Sequence, residues 1–334
     1  NVSLDGTSAS QSTASQVVEE IRAAGGTAIA NGDSVAEYAS AKRIIEAAAD
    51  TYGRVDAVVN NAGIVRDKMF HRLTPEDFDA VVKVHLYGCF NLSHAAAGHF
   101  REQGGGSLIN MTSNSAVIGN RGQANYCAAK LGIVGLSKAM ALDMAAFNVR
   151  SNCIAPLAWS RMTETIPAKT EEQARHVEKI RRMGPETIAP LICYLASDAS
   201  SEVSGQVFAI RLNEIFLMSQ SRPVRSVHRS DGWTAQSIAE HGMAALRASF
   251  MPLDTSARCS PGIRCEAAMA LDYHRLKSHA FETGRQAYGE DDCILYAWAW
   301  APAWRTTRTS ATKRNSSTSR ACAPCPPWPP CWLS

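Results

Sequence analysis

The chain has 334 residues, 46% hydrophobic and 19% charged, enough apolar material for one domain of the usual ~100 to 250 residues plus a further piece. A formal net charge of only +3, with no basic stripe interleaved with aromatic residues, argues against a nucleic-acid partner. No run of about 18 or more uncharged apolar residues occurs, and no basic-then-apolar N-terminal pattern, so nothing reads as a membrane span or secretory signal.

In chain order, periodicity predicts a helix over Ser10–Ala24, a strand over Thr27–Ala30, a helix over Val35–Thr51 and a strand over Val55–Asn60. A long helix over Pro75–Arg101, a strand over Ser107–Met111, a helix over Gln123–Phe147 and a strand over Val149–Ile154 follow. A helix over Glu186–Ala196 and a strand over Gln206–Ile210 complete the pattern. Helices alternating with short apolar strands imply parallel β-α units, hence an α/β, Rossmann-like doubly wound sheet. The charged segment Trp159–Met183, flanked by Pro156 and Pro185, is expected to form a substrate lid.

Several strand ends carry chemistry. The apolar strand before Asn60 stops at Asn60-Asn61-Ala62-Gly63, where small residues would let a flat ligand approach the backbone; a simple Asn-Gly turn is the alternative. Ser113 ends the next strand, at the edge where open parallel sheets bind ligands, unless it merely terminates that strand. On the following helix Tyr126 and Lys130 are four residues apart, which stacks a phenol beside an ammonium. A cation there is expected to lower the phenol pKa, making a proton-transfer device; a solvated helix face is the other reading. Pro156 closes the strand after that.

Asn60 to Gly63, Ser113, Tyr126 with Lys130, and Pro156, in that order, resemble the short-chain dehydrogenase/reductase family over about Val2–Leu212. Val84-His85-Leu86, Ser160-Arg161-Met162-Thr163 and Asn213-Glu214-Ile215-Phe216 resemble, more narrowly, the (3R)-hydroxyacyl-CoA dehydrogenase unit of multifunctional β-oxidation enzymes. The resemblance implies a nicotinamide cofactor, NAD with NADP not excluded, and an acyl-CoA substrate. It further implies a soluble homodimer or homotetramer paired through the helix bearing Tyr126 and the one before it. By the same resemblance Tyr126 is the general acid or base, Lys130 holds the nicotinamide ribose and Ser113 hydrogen-bonds the substrate oxygen. Asp33 is implied to meet the adenine amino group, though it could be only a helix N-cap. Asn60, Ala62 and Gly63 would line the adenine-ribose side, with Pro156 and Ser160 also at the cofactor. His85 stands where many members have asparagine, as either a proton-relay residue or a packed helical histidine. Leu157 replaces a common glycine and would crowd the nicotinamide. A steroid or other secondary alcohol is the alternative substrate, and a non-catalytic remnant that only folds or dimerises is the alternative role.

No glycine-rich turn between a first strand and first helix precedes residue 60, and the chain opens at Asn1 in what looks like the loop after the family's second strand. The fold is therefore expected to be N-terminally truncated and to bind its cofactor poorly. Residues 213–256 read as a subgroup extension in which Ser221-Arg222-Pro223-Val224-Arg225 is either a contact for acyl-CoA phosphates or a solvated basic turn. A linker follows over 257–268. Met269 to Ala297 resembles the start of a MaoC-like enoyl-CoA hydratase, and 298–334, rich in Trp, Pro, Arg, Ser and Cys without period, is expected to be a disordered tail. Codons for a hydratase-like peptide read one base later give Ala321 to Trp332, so a frameshift makes Cys322-Ala323-Pro324-Cys325 accidental and no metal site is expected. Cys89, Cys127, Cys153 and Cys193 fall inside predicted elements as small hydrophobes, consistent with a reducing, cytoplasmic setting.

Overall fold

The computed structural model describes residues 12–159 and 170–256. The elements are α1 (Ser12–Ala23), α2 (Tyr38–Tyr52), β1 (Ala57–Asn60), α3 (Pro75–Val82), α4 (Gly88–Gln103), β2 (Gly106–Met111), α5 (Asn114–Val117) and α6 (Ala124–Asp143). They continue with β3 (Val149–Pro156), α7 (Glu171–Arg181), α8 (Ala189–Ala196), β4 (Val207–Arg211), β5 (Glu214–Leu217), α9 (Ala235–Ser237) and α10 (Met243–Arg247). The sheet order is β1-β2-β3-β4-β5. The first four strands are parallel and β5 returns antiparallel on β4, so the parallel α/β reading holds.

Both faces of the sheet are covered, as near-continuous apolar strands require. On one face Leu108, Val58 and Val149 pack with Ile45 of α2 and Leu92, Ala96 and Phe100 of α4. On the other, Ile109, Ile154 and Ile210 pack with Leu191 and Leu195 of α8. Successive residues Leu108 and Ile109 therefore serve opposite layers, the period-two consequence of a pleated strand. Gly106 admits the Phe100 ring: a Cβ there would fall 2.3 Å from Phe100 Cδ1.

Thr27–Ala30 is not a strand. It is extended and largely exposed, with no neighbouring strand among the described residues, and a lone extended segment has no ladder to join. β1 is accordingly an edge strand. The long helix predicted over Pro75–Arg101 is interrupted by a π turn over Lys83–Tyr87 that separates α3 from α4. α3 itself starts as its sequence dictates, with the Thr74 hydroxyl accepting from Asp77 N at 3.2 Å and Pro75 in the first turn. α8 begins three residues later than expected, after a 3₁₀ turn over Pro185–Thr187.

Of the expected lid, residues 160–169, including Ser160, lie outside the described residues. The flanks are joined: Trp159 N donates to Met183 O at 2.6 Å, and the Arg181 guanidinium lies 5.3 Å from the Trp159 ring centroid. The extension folds back on the domain, Ser256 N donating to Gly119 O at 2.8 Å. Residues 221–225 are exposed. The linker, hydratase-like and tail readings over 257–334 fall outside the described residues. Cys89 and Cys153 are buried as small hydrophobes, but Cys193 is exposed on α8 and Cys127 is half-buried. Among the described residues no helix is long and apolar enough to cross a membrane, and no cluster of three or more His, Cys, Asp or Glu could hold a metal.

Candidate active site

The parallel strands place Asn60, Met111 and Pro156 at one edge, and the expected site gathers there. Ser113 follows β2 and caps α5: its hydroxyl accepts from Ser115 N at 3.2 Å. The hydroxyl of Tyr126, in the first turn of α6, lies close enough for Ser113 to favour its phenolate form. These two hydroxyls, with twelve residues between them in sequence, form the centre of the site.

The start of α6 is fixed by a residue that sequence reasoning passed over. Asn125, fully buried, donates from Nδ2 to Arg66 O at 3.0 Å and to Asp77 O at 3.4 Å, while its Oδ1 accepts from Tyr126 N at 2.8 Å. One amide thus joins the loop after β1, helix α3 and the turn bearing Tyr126. An asparagine opening a helix, where its side chain competes for backbone groups, was the available signal. Asp77 supports the same junction through Lys68, Arg66 and Thr74.

Lys130 lies one turn further along α6. Its ammonium is buried, donates to Met111 O at 2.7 Å and sits 5.7 Å from the centroid of the Tyr126 ring. Burial pulls its pKa down to about 8. The expected lowering of the phenol is not found: burial pushes Tyr126 up to about 12, with Ser113 opposing and the negative charge of Asp67 adding to the rise. Desolvation is the largest effect on the phenol, and the Lys130 ammonium is engaged by the Met111 carbonyl.

His85, in the π turn, is 2% exposed. Its ring meets the Tyr126 ring edge-on at 5.3 Å, and its Nε2 lies 2.8 Å from Ile64 O. Ile64 N is also 3.2 Å from that nitrogen, which can donate to the carbonyl or accept from the amide but not both; in the Nε2–H tautomer it donates to the carbonyl and the Ile64 N–H loses its acceptor. Nδ1 then carries a lone pair with no partner. Burial and the Lys130 charge lower the His85 pKa to about 3, so the ring is neutral. It occupies the space above Gly63: a Cβ there would lie 2.4 Å from His85 Cε1. The gap at Gly63, expected to admit a flat ligand, is filled by the imidazole.

The remaining expected residues divide. Asn60 turns inward, donating to Ser93 Oγ at 3.0 Å and Asn110 Oδ1 at 2.8 Å; Asn110 in turn donates to Ser137 and Ser151. Its side chain braces the strand end, while Asn61 and Ala62 stay exposed. Asp33 is bound to Arg43 of α2, and it caps no helix, since α2 begins at Tyr38 after Glu37. Pro156 and Leu157 end β3 half-buried.

A family profile described as enoyl-(acyl carrier protein) reductase matches residues 6–211. The chain belongs to the short-chain dehydrogenase/reductase family. It is thereby one of a family of nicotinamide-dependent oxidoreductases. It is 46% identical over 198 residues to a short-chain type dehydrogenase/reductase of Mycobacterium tuberculosis, covering 59% of this chain and 66% of that protein. It is 44% identical over 207 residues to the peroxisomal hydratase-dehydrogenase-epimerase of Saccharomyces cerevisiae, covering 62% of this chain and 22% of that protein. The chain thus spans less than two thirds of these relatives. The crystal structure of a short-chain dehydrogenase from Mycobacterium avium superposes with a TM-score of 0.65 at 36% identity, covering 76% of this chain and 86% of that one.

The residues present suit one end of a nicotinamide dinucleotide. Lys130 has three N–H donors, one of them given to Met111, and lies 5.7 Å from the Tyr126 ring centroid, while Ala62 at the same sheet edge is exposed. Among the described residues no glycine-rich turn leads from a strand into a helix ahead of β1.

Proposed function

We propose that this chain carries the proton-transfer half of an oxidoreductase that interconverts a (3R)-hydroxyacyl-CoA and a 3-ketoacyl-CoA. The observation that carries the reading is the convergence of Ser113 and Tyr126 at the carboxyl edge of the sheet, with the buried Lys130 ammonium 5.7 Å from the phenol ring. The likeness to a hydratase-dehydrogenase-epimerase, and the phrases around His85 and Asn213, support the acyl-CoA substrate over other secondary alcohols.

The bound cofactor, NAD or NADP, supplies or accepts the hydride at the substrate's C3. Lys130 would hold its nicotinamide ribose, next to Ala62 and Pro156. Ser113 donates a hydrogen bond to the reacting oxygen, and Tyr126 delivers the proton to it in reduction or removes it in oxidation. At neutral pH the phenol, raised to about 12, is protonated and ready to act as the acid. The phenolate left behind is stabilised by the ammonium 5.7 Å from the ring. His85 serves as a neutral wall that keeps the Tyr126 ring in place. Apolar residues exposed on α4 and α6, Phe90, Leu131 and Leu142, support pairing of subunits through these helices.

Oxidation of NADH or NADPH by a 3-ketoacyl-CoA tests this, using a polypeptide of these residues and one extended at its N-terminus by a relative's first strand and phosphate loop. The extended chain is expected to turn over and its Tyr126→Phe variant to lose at least ~100-fold. The unextended polypeptide is expected to bind nucleotide weakly. Turnover of other secondary alcohols but not of the 3-ketoacyl-CoA overturns the substrate; full activity in Tyr126→Phe overturns the mechanism.

A further inference from the structure

One carboxylate at the site belongs to none of the motifs above. Asp67 lies on the loop leaving β1, one side open to solvent and the other packed toward α6. It accepts from Gln123 Nε2 at 2.7 Å, and Gln123 immediately precedes α6, three residues before Tyr126. Gln123 Oε1 accepts from Asn120 Nδ2 at 2.8 Å, and that nitrogen also lies 3.4 Å from Ser115 Oγ. Ser115 N donates to the Ser113 hydroxyl at 3.2 Å. A polar path therefore runs from Asp67 through the loop 118–123 to Ser113. The backbone repeats the link, since Lys68 and Gln123 form a parallel bridge.

That loop is the covalent connection between the serine and the tyrosine, and it is intrinsically loose. Two of its residues are glycines at positive φ, Gly119 at 128° and Gly122 at 72°. Without an external anchor, the separation of the two hydroxyls would be set by the most permissive backbone in the site. We propose that Asp67 is a positioning residue: by holding Gln123 it fixes the Ser113–Tyr126 geometry.

The proposal rests on Tyr126 being the proton donor. The groups around that phenol are Asp67 from the loop after β1, His85 from the π turn, and Ser113, Cys127 and Lys130 from α5's cap and α6. His85 is neutral, and Asp67 acts on both Tyr126 and Cys127 in the direction that keeps each protonated. The cations adjacent to Asp67 in sequence, Arg66 and Lys68, both reach Asp77 on α3. Asp67 itself is raised by partial burial, with Gln123 opposing, so its charge is the part of the device that weakens on acidification.

Anchor and charge separate by substitution. Asp67→Asn keeps an acceptor for Gln123 and removes the charge; Gln123→Ala keeps the charge and removes the anchor. The full chain is labelled with fluorotyrosine, whose phenol titrates at a pH the fold tolerates, and the Tyr126 fluorine resonance is assigned by its loss in Tyr126→Phe. Asp67→Asn is expected to leave the neutral-pH resonance in place and lower the Tyr126 titration midpoint by about half a unit to one unit, the scale of one charge removed at a protein surface. Gln123→Ala is expected to shift or broaden the neutral-pH resonance. An unchanged midpoint in Asp67→Asn sinks the electrostatic role, and an unmoved resonance in Gln123→Ala sinks the anchoring role. Both readouts are independent of turnover. If the extended chain fails to reduce a 3-ketoacyl-CoA while these shifts appear, it is the substrate reading that falls.

Discussion

The imidazole of His85 stands edge-on to the phenol ring of Tyr126, centroids 5.3 Å apart and planes at 89°. A histidine so enclosed is neutral in the folded chain at any pH above about 3, whereas the unfolded chain protonates it near 6.5. The folded pKa is depressed, so its contribution to stability is fully present above 6.5 and is lost as pH falls toward 3. The slope reaches roughly 1.4 kcal/mol per pH unit inside that window. His85→Gln, which retains a donor for Ile64 O and does not titrate, is expected to flatten the dependence. Urea unfolding at pH 4, 5 and 7 for both chains measures it; identical pH slopes would refute the assignment.

Gly63 and His85 interlock. Gly63→Ala places a methyl 2.4 Å from His85 Cε1 and is expected to destabilise by about 1–3 kcal/mol. Combining it with His85→Ala is expected to recover at least ~1 kcal/mol of that cost, since the methyl then enters vacated space. A double-variant cycle followed by thermal unfolding reads the coupling, and strict additivity argues against the interlock.

Lys130 carries the same sign at alkaline pH. Its pKa falls from 10.5 to about 8 on folding, so between those values the unfolded chain holds a proton that the folded one has released. Stability is expected to rise with pH across that window by up to roughly 1.4 kcal/mol per unit, and Lys130→Met to remove the rise. Measurements belong below pH 10, because Tyr126, raised from 10 to about 12, reverses the trend above it.

Asn110 is the hub of the polar layer beneath the site, accepting from Asn60 and Cys89 and donating to Ser137 and Ser151. Asn110→Ala leaves several buried groups short of a partner. A loss of about 2–3 kcal/mol in chemical unfolding is expected, with reduced amide protection at Asn60 checked by hydrogen exchange.

What was legible in the sequence was local. The Ser113 and Tyr126 positions follow from a strand end and a helix start, and the parallel units follow from alternating periods. The π turn was not legible, because residues 75–101 keep a helical pattern throughout and the extra residue is demanded by packing against the loop at Gly63. The same holds for Thr27–Ala30, whose apolar character suits a strand but whose pairing depends on a neighbour elsewhere. The direction of Lys130 is a rotamer choice made by the Met111 carbonyl, and no spacing rule contains it. Asp33 looked like a cap or a ligand contact because its partner, Arg43, is ten residues away on a helix face.

A π turn holds one residue more than the ordinary helix around it, and such an insertion can be undone by one deletion. Excising a single position from 83–87 would let α3 and α4 fuse into one regular rod. The helices on either side would keep their faces, because the wide turn had absorbed the extra residue, and only the residues within it would be re-registered. His85 would then be carried off Tyr126 while the sheet stayed where it is. The orientation of this site is thus written in a count of residues as much as in their identities.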